Sequence, residues 1–562
     1  MHEPAPGDVA LAAMSAFVDA LARGGVSDAC VAPGSRSTPL VLALERHPGI
    51  TVRVHLDERA AGFFAVGLAK SSRAPVVLAC TSGTAAVNFH PAVVEAAQAG
   101  VPLIVLTADR PPELRGTGAN QTIDQVGLYG TAPRLAIDAP VPDAGPHTLR
   151  TWRELAARAL GAASGEPSEP GAPVHINLPF REPLAPTGAT VLADAGAAGP
   201  AHPAGPSLES LCAAEAGAVA ARMRMIERGV IVAGWLDGDG SAVLDLARAT
   251  GWPLIAEPIS NARRPGALAA PLHVLDRFDA PDMVVHLGGV PTTRAAQGLL
   301  ARAASVVTVS AFERKAMPGW AIDRRVRTDE RAFARAVASQ IPANETSAWA
   351  KEWTEQDARA RAAIDELLDG WSEPFEGRVA RDLTASLPNG ATLFVGSSTP
   401  VRDLDLFMAP RDGLRIFANR GASGIDGSVS SILGIAAAGA STFGLIGDLA
   451  LLHDASGLLW GARMGLDAVI VVVNNRGGGI FDLLPSATLP EHERLFIAPH
   501  DIDVGALARA AGAGFTRAER AQDLAAAVGE AARARGVHIV EVPIDRARAL
   551  EMRAAVRAAV SS

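Results

Sequence analysis

Aromatic side chains are scarce in this chain, 4% of 562 residues, and cysteine is rarer still, with three. Hydrophobic residues reach 49%, much of it alanine, so the cores are expected to be aliphatic and the helices alanine-rich. Cys30, Cys80 and Cys212 have no metal-ligand spacing and cannot all pair, which suits a reducing cytosol. Cys30 and Cys80 sit in apolar runs and are expected in the core. Positive charge is in deficit: 51 Lys and Arg against 60 Asp and Glu leave a net charge of −9, so the bulk surface does not fit a nucleic-acid binder and any anion site must be local. Long hydrophobic runs are missing too. The nearest, Ile432 to Ile446, is too short and too rich in Gly, Ser and Thr to span a membrane. The opening segment MHEPAPGDVALAAM lacks a basic stretch followed by an apolar core and a cleavage site, so a soluble cytoplasmic protein is expected. No strand-like run precedes a Gly-x-Gly-x-x-Gly turn with a downstream acid, which argues against a nicotinamide dinucleotide enzyme. No short repeat occurs.

What is present is a succession of short apolar runs alternating with helical stretches, the pattern of α/β domains with mostly parallel, doubly wound sheets. The length allows three or four domains. A stretch rich in Ala, Gly and Pro, residues 186–206, reads as a linker, and a charged helix at about 347–370 as a connection. The expected domains are 1–184, 207–345 and 375–562, the first and third being variants of one plan.

The most informative stretch runs from Ser441 to Leu484. Two continuous apolar runs, Thr442 to Gly447 and Ala468 to Val473, read as strands buried on both faces. One helix is expected between them, capped by Asp454, with Leu458, Leu459 and Met464 as its apolar face and Gly465 as its stop. In such a βαβ unit Asp448 and Asn474-Asn475 emerge at the same sheet edge. A carboxylate, an amide oxygen and a backbone carbonyl from Gly477 to Gly479 would make, with two phosphate oxygens, a hard oxygen site suited to Mg²⁺. Each half alone also serves as an ordinary turn.

Other strands end in polar loops at comparable places. Asp28 to Ala32 leads to Pro33-Gly34-Ser35-Arg36, Val101 to Leu106 to Asp109-Arg110, Ala391 to Val395 to Ser397-Ser398 and then Arg402, and Arg415 to Ala418 to Asn419-Arg420. Arg36, Arg110, Arg402 and Arg420 could converge on substrates with several carboxylates, because Arg forks onto carboxylates and an unpaired buried cation is costly. Asn120 and Gln121 could bond a hydroxyl or carboxylate, and Thr293-Arg294 could lend a cation, although turn and surface roles are open for each. Asp57-Glu58 begins a small-residue helix, where acids also compensate the dipole.

An Asp after one strand and Asn-Asn after the next resembles the Mg-diphosphate signature of thiamine-diphosphate-dependent enzymes, with Gly447-Asp448-Leu449 where that family usually has Gly-Asp-Gly. APGSRSTPL, HLDERAAGFFAVGLAK, ADRPPEL, GANQ, NRGASGIDG, GDLALLHD and VVNNRGGGIFDLLP together resemble the branch of the family that serves menaquinone biosynthesis. The resemblance implies thiamine diphosphate with Mg²⁺ or Mn²⁺ as cofactors. It implies decarboxylation of 2-oxoglutarate and addition of the resulting carbanion to isochorismate. It places Glu58 as the catalytic acid on the aminopyrimidine ring, where it shares a proton with a ring nitrogen. It places Asp448, Asn475 and the Gly477 carbonyl on the metal, and Ser397, Ser423, Gly424 and Ile425 along the cofactor. Ser35, Arg36, Arg110, Asn120, Gln121, Arg294, Ser398, Arg402 and Arg420 would face the substrates, with Ile480, Phe481 and Leu484 as an apolar wall. The family also implies a homodimer or a dimer of dimers, each cofactor lying between the first domain of one subunit and the third of another.

Overall fold

The computed structural model describes residues 4–165, 169–188, 209–236, 238–312, 317–342 and 346–561. The expected linker from residue 189 on and the side chain of Cys212 lie outside the described residues. Three sheets are present. The first contains β1 (Asp28–Val31), β2 (Thr51–Val54), β3 (Val76–Cys80), β4 (Leu103–Asp109), β5 (Leu135–Asp138) and β6 (Pro173–Pro179), in the order β2-β1-β3-β4-β6-β5. The second contains β7 (Gly229–Ala233), β8 (Leu254–Ala256), β9 (Met283–Leu287), β10 (Val306–Val309) and β11 (Ile322–Val326). The third contains β12 (Ala391–Val395), β13 (Leu414–Phe417), β14 (Thr442–Gly447), β15 (Ala468–Asn474), β16 (Gly514–Arg517) and β17 (Val537–Pro543). Its order, β13-β12-β14-β15-β17-β16, repeats that of the first sheet position for position. The shared plan expected of the first and third domains is thus present strand by strand. All three sheets are parallel, and strands such as β3, β4, β14 and β15 are buried along almost their whole length, which is why their sequences are continuous apolar runs.

In both six-stranded sheets the order reverses beside the first strand, between β1 and β3 and between β12 and β14. Open α/β sheets bind ligands at such points, beyond the carboxyl ends of the strands. The register of β12 on β14 pairs Val395 with Leu445, so the Ser397-Ser398 loop and Asp448 leave neighbouring strands at one edge.

By compactness the chain forms two units. The first comprises 1–205 with 419–440 and 453–466, and the second comprises the remainder. Aliphatic residues fill both, as composition implied: Val31, Val77, Ile104, Leu106, Val174 and Ile176 pack in the first, edged by the Phe17–Trp152 pair. In the second, Arg263, almost fully buried, bonds the carbonyls of Ala256, Met408 and Asp405, tying the second sheet's loops to the third sheet's helices.

Within the first unit, the Glu58–Ser72 and Ser428–Ala437 helices cross backbone against backbone. A Cβ on Gly434 would strike the Phe64 carbonyl oxygen, and one on Gly67 the Ser431 carbonyl. Neither obstacle is a flexible side-chain tip. Gly434→Ala is therefore expected to destabilise the protein by about 1–3 kcal/mol through overpacking. Gly298→Ala, in a helix where an added Cβ meets nothing within 4 Å, is expected to gain up to about 1 kcal/mol from helix propensity. Thermal unfolding of the two variants beside the parent checks the opposite signs.

Several local expectations are corrected. The buried Asp8 carboxylate, in the first helix, Pro6–Arg23, accepts bonds from the Thr187 and Gly188 backbone and the Thr187 hydroxyl, although an Asp opening an apolar helical run reads as its cap. The single helix expected between β14 and β15 is broken into Asp448–His453 and Ala455–Gly461. Asp454 lies at the break, but its carboxylate is turned to the Ser430 amide and hydroxyl at 2.6 and 2.9 Å instead of capping. Leu458 is core, whereas Leu459 is exposed. Cys30 and Cys80 are free thiols in the core.

Candidate active site

The second unit holds the acid and the amide. Asp448 begins a helix directly after β14 and is 2% exposed. Burial pushes its carboxyl pKa up, opposed by hydrogen bonds from the Leu449 and Gly477 amides at 2.7 and 2.9 Å and by the nearby His500, whose Nε2 lies 3.2 Å away. The Gly477 bond draws the turn after β15 onto Asp448. Gly477 has φ +151°, and a Cβ there would run into the Ile497 carbonyl, so the turn requires glycine at this point.

Asn474 and Asn475 point to different partners. Asn474 Nδ2 donates to Glu541 at 2.6 Å, and its Oδ1 accepts from the Arg476 amide. Asn475 Oδ1, by contrast, is buried with no hydrogen-bond partner. A buried amide oxygen without a donor is costly unless a ligand or ion meets it. With the Asp448 carboxylate and the Gly477 carbonyl it would make an all-oxygen donor set of the kind that fits a hard divalent cation. Among the described residues no three His, Cys, Asp or Glu side chains cluster as a metal site. A cation here would therefore need neutral oxygens, phosphate or water to complete its shell.

Around this edge, Ser397 is buried, and Ser398, in the left-handed region at φ +73°, precedes the Thr399–Phe407 helix. Arg402 donates to the Ser398 carbonyl at 2.6 Å. Burial lowers the Arg402 pKa, and the positive charge of Arg294 adds to the effect against the pull of Asp403 and Glu257. Arg294 itself starts the Arg294–Arg302 helix, capped by Thr293. Ile480 and Phe481 lie in the short turn Gly479–Leu483, half-buried, with Phe481 against Phe496 and Leu484 following.

The first unit holds the other candidates. Asp57 caps the Glu58–Ser72 helix, its carboxylate accepting from the Arg59 amide at 2.9 Å. The capping role is thereby taken by Asp57, and Glu58 is left for another. Glu58 is half-buried and close enough to the end of β3 that its charge, after burial, helps push the Cys80 thiol well above its usual pKa.

Arg36 lies near enough to Arg110 for its charge to be felt there. Arg36 is 6% exposed, donates to the Phe180 carbonyl and to Glu182, and keeps a buried Nε without a partner. Arg110 bonds the Ser82 hydroxyl and the Gln121 carbonyl; burial lowers its pKa and the Arg36 charge lowers it further. Gln121 takes φ +52°, while Asn120 is exposed next to it and Ser35 is exposed beside Arg36.

Arg420 is in this first unit as well, in the Asn419–Gly427 loop. Glu95 anchors that loop, accepting from the Gly421 and Ala422 amides at 3.0 and 2.7 Å while also pairing with Lys70. Ser423, at φ +63°, Gly424 and Ile425 complete it, and the Ile425 carbonyl accepts from Ser428. Three of the four arginines that follow strands thus belong to the first unit, and the cationic neighbour of Arg402 within the second is Arg294. Sequence reasoning passed over His500 and Glu376, which touch Asp448 and Asn475; neither has a local signal, since His500 lies in a loop and Glu376 looks like any acid in a first helical turn.

Known proteins resemble the chain over nearly its whole length. Three family models match: the thiamine pyrophosphate enzyme N-terminal TPP binding domain over residues 12–128, the middle domain over 218–395 and the C-terminal TPP binding domain over 401–542. A 2-succinyl-5-enolpyruvyl-6-hydroxy-3-cyclohexene-1-carboxylate synthase of Thermobifida fusca is 46% identical, covering 97% of this chain and 98% of that one. Proteins of the same name from a Roseiflexus species and Geobacillus kaustophilus are 41% and 40% identical, each covering 96% of both chains. Among solved structures, benzoylformate decarboxylase from Polynucleobacter necessarius superposes with a TM-score of 0.70 at 17% identity, over 95% of this chain and 98% of that one, a likeness of fold alone. The chain belongs to the thiamine-diphosphate-dependent enzymes, in the family of the 2-succinyl-5-enolpyruvyl-6-hydroxy-3-cyclohexene-1-carboxylate synthases.

Proposed function

We propose that the chain decarboxylates 2-oxoglutarate and transfers the remaining four-carbon acyl unit to isochorismate, releasing CO₂ as the only by-product, as a step of menaquinone biosynthesis. The observation that carries the reading is the gathering of arginines after strands, Arg36 near enough to Arg110, and Arg294 to Arg402, for each charge to be felt by the other. Arginines partly out of water, offset only in part by neighbouring acids such as Glu182, Asp403 and Glu257, favour anionic ligands, and both proposed substrates are dicarboxylates. Simple pyruvate would need less positive charge.

Thiamine diphosphate, when bound, supplies the carbon nucleophile that makes loss of CO₂ from a 2-oxoacid feasible. Glu58 would share a proton with the aminopyrimidine nitrogen. Asp448, Asn475 Oδ1 and the Gly477 carbonyl would hold Mg²⁺ or Mn²⁺, and Ser397, Ser423, Gly424 and Ile425 would lie along the cofactor. Ser35, Arg36, Arg110, Asn120, Gln121, Arg294, Ser398, Arg402 and Arg420 would face the substrates. Ile480, Phe481 and Leu484 exclude water from them. Two buried free thiols suit a cytoplasmic location, and no helix among the described residues is long and apolar enough to cross a membrane.

The test is a reaction of the purified protein with Mg²⁺, thiamine diphosphate, 2-oxoglutarate and isochorismate, followed by mass detection. The expected product carries both substrates less CO₂. Adduct formation with pyruvate in place of 2-oxoglutarate would favour an acetolactate-type enzyme, CO₂ without adduct a simple decarboxylase, and neither a non-catalytic subunit.

The active unit is proposed to be a homodimer whose sites combine the first domain of one chain with the third of its partner. Mixing Glu58→Gln with Asp448→Ala, each inactive alone, is then expected to restore roughly a quarter of the parent activity, because half of randomly paired dimers carry one intact site. No recovery after verified subunit exchange contradicts a shared site.

A further inference from the structure

Behind Asn475 runs a chain of buried charges drawn from three helices of the second unit. Glu376, first residue of the Glu376–Ser386 helix and 6% exposed, has its carboxyl pKa raised by burial, and a hydrogen bond with the Asn475 side-chain amide works against this by favouring the carboxylate. A carboxylate only accepts, so the Asn475 nitrogen is the donor and its oxygen is left over. That is the same oxygen found buried and without a partner. Arg553, on the Arg546–Ser561 helix, lies 3.5 Å from Glu376 and 2.6 Å from Asp403 of the Thr399–Phe407 helix, with its cation over the Phe375 ring at 5.2 Å. Asp403 is 2% exposed.

An asparagine amide can rotate by half a turn and exchange its oxygen for its nitrogen. In the wrong orientation Asn475 would present N–H groups to a cation. We propose that Glu376, held in place by Arg553 and Asp403, is a positioning residue that locks the Asn475 amide with its oxygen toward the divalent cation. The wrong orientation would bring an amide oxygen against a carboxylate, so Glu376 selects the productive one without touching metal or cofactor. The inference rests on the reading that Asp448 and Asn475 hold the cation. It differs from a purely structural ion pair, which would join three helices and be indifferent to Mg²⁺.

The experiment is a titration of Mg²⁺ at fixed thiamine diphosphate, reading bound cofactor by equilibrium dialysis, with the unfolding temperature of the ligand-free protein measured alongside. Glu376→Gln is expected to raise the half-saturating Mg²⁺ concentration by about 10- to 100-fold. Asn475→Asp is expected to raise it too, because two carboxylates then face each other. The double variant reverses donor and acceptor at constant net charge and is expected to recover most of the loss. An unchanged Mg²⁺ requirement in Glu376→Gln with only a lowered unfolding temperature overturns the proposal, as does a double variant whose losses multiply. Should Glu376→Gln alone fail to fold, a double variant that needs as much Mg²⁺ as Asn475→Asp overturns it equally. Asp448→Ala separates the two levels: if it loads cofactor at the parent's Mg²⁺ concentration, the ligand assignment itself is wrong, whereas its failure to load beside a normal Glu376→Gln removes only the positioning role.

Discussion

Glu58→Gln is expected to bind thiamine diphosphate and Mg²⁺ as the parent does and to lose about 10²- to 10⁴-fold in kcat, the range associated with a positioned acid or base. The substitution keeps the side chain's size and replaces an acid with an amide that cannot hold or release the proton. The helix that Glu58 begins does not depend on it for capping, because the Asp57 carboxylate already accepts from the Arg59 amide. Nor does it depend on Glu58 for its packing, which comes from Phe63, Phe64 and the glycine crossing on the Ser428–Ala437 helix. If Glu58 merely offset the helix dipole, its loss would cost about 0.3–1 kcal/mol of stability and leave turnover intact. Steady-state CO₂ release set beside a cofactor titration distinguishes the two, and near-normal turnover contradicts the assigned role.

The second large effect is expected at the other end of the cofactor. Asp448→Ala should abolish the rise in unfolding temperature that thiamine diphosphate and Mg²⁺ give the parent protein. A ligand at a hundred times its Kd stabilises the folded state by about 2.7 kcal/mol, and that stabilisation disappears with the site. In the variant, the Leu449 and Gly477 amides and His500 lose their shared acceptor. Asn475 Oδ1 also loses its charged companion in the donor set. Differential scanning calorimetry with and without the cofactor pair checks this, and a ligand-induced shift equal to the parent's would move the cation elsewhere.

Most of the strands that sequence revealed are buried on both faces. The runs at Val76–Cys80, Met283–Leu287 and Thr442–Gly447 have no solvent side and so no polar residue to interrupt them. Several outermost strands were missed, although the edge strand Leu414–Phe417 was read. Leu135–Asp138, Ile322–Val326 and Gly514–Arg517 alternate or are mostly exposed, carry charges, and owe their strand conformation to one neighbour. Residues that follow buried strands were legible as site candidates, because a parallel sheet delivers all its strand ends to one edge. Asp448, Asn475, Arg36 and Arg110 come from that rule.

It failed to foresee the setting of Arg420. Its strand lies in the third sheet, but Glu95 and Lys70 hold the loop after it among the helices of the first unit. Glycines spaced along both helices, Gly67 and Gly434, were the available sign that the two pack closely. For Glu376 and His500 no such sign exists: Glu376 is 99 positions from Asn475 and His500 is 52 from Asp448, subtracting residue numbers, and only tertiary packing relates them.

A crystal structure of the protein grown with thiamine diphosphate and Mg²⁺ tests the central claim most directly. The expected result has Mg²⁺ coordinated by Asp448, Asn475 Oδ1 and the Gly477 carbonyl, with a Glu58 carboxylate, from either subunit, bonded to the aminopyrimidine ring of the same cofactor. A cation held by other side chains, or every Glu58 facing solvent with the ring bound elsewhere, would contradict it.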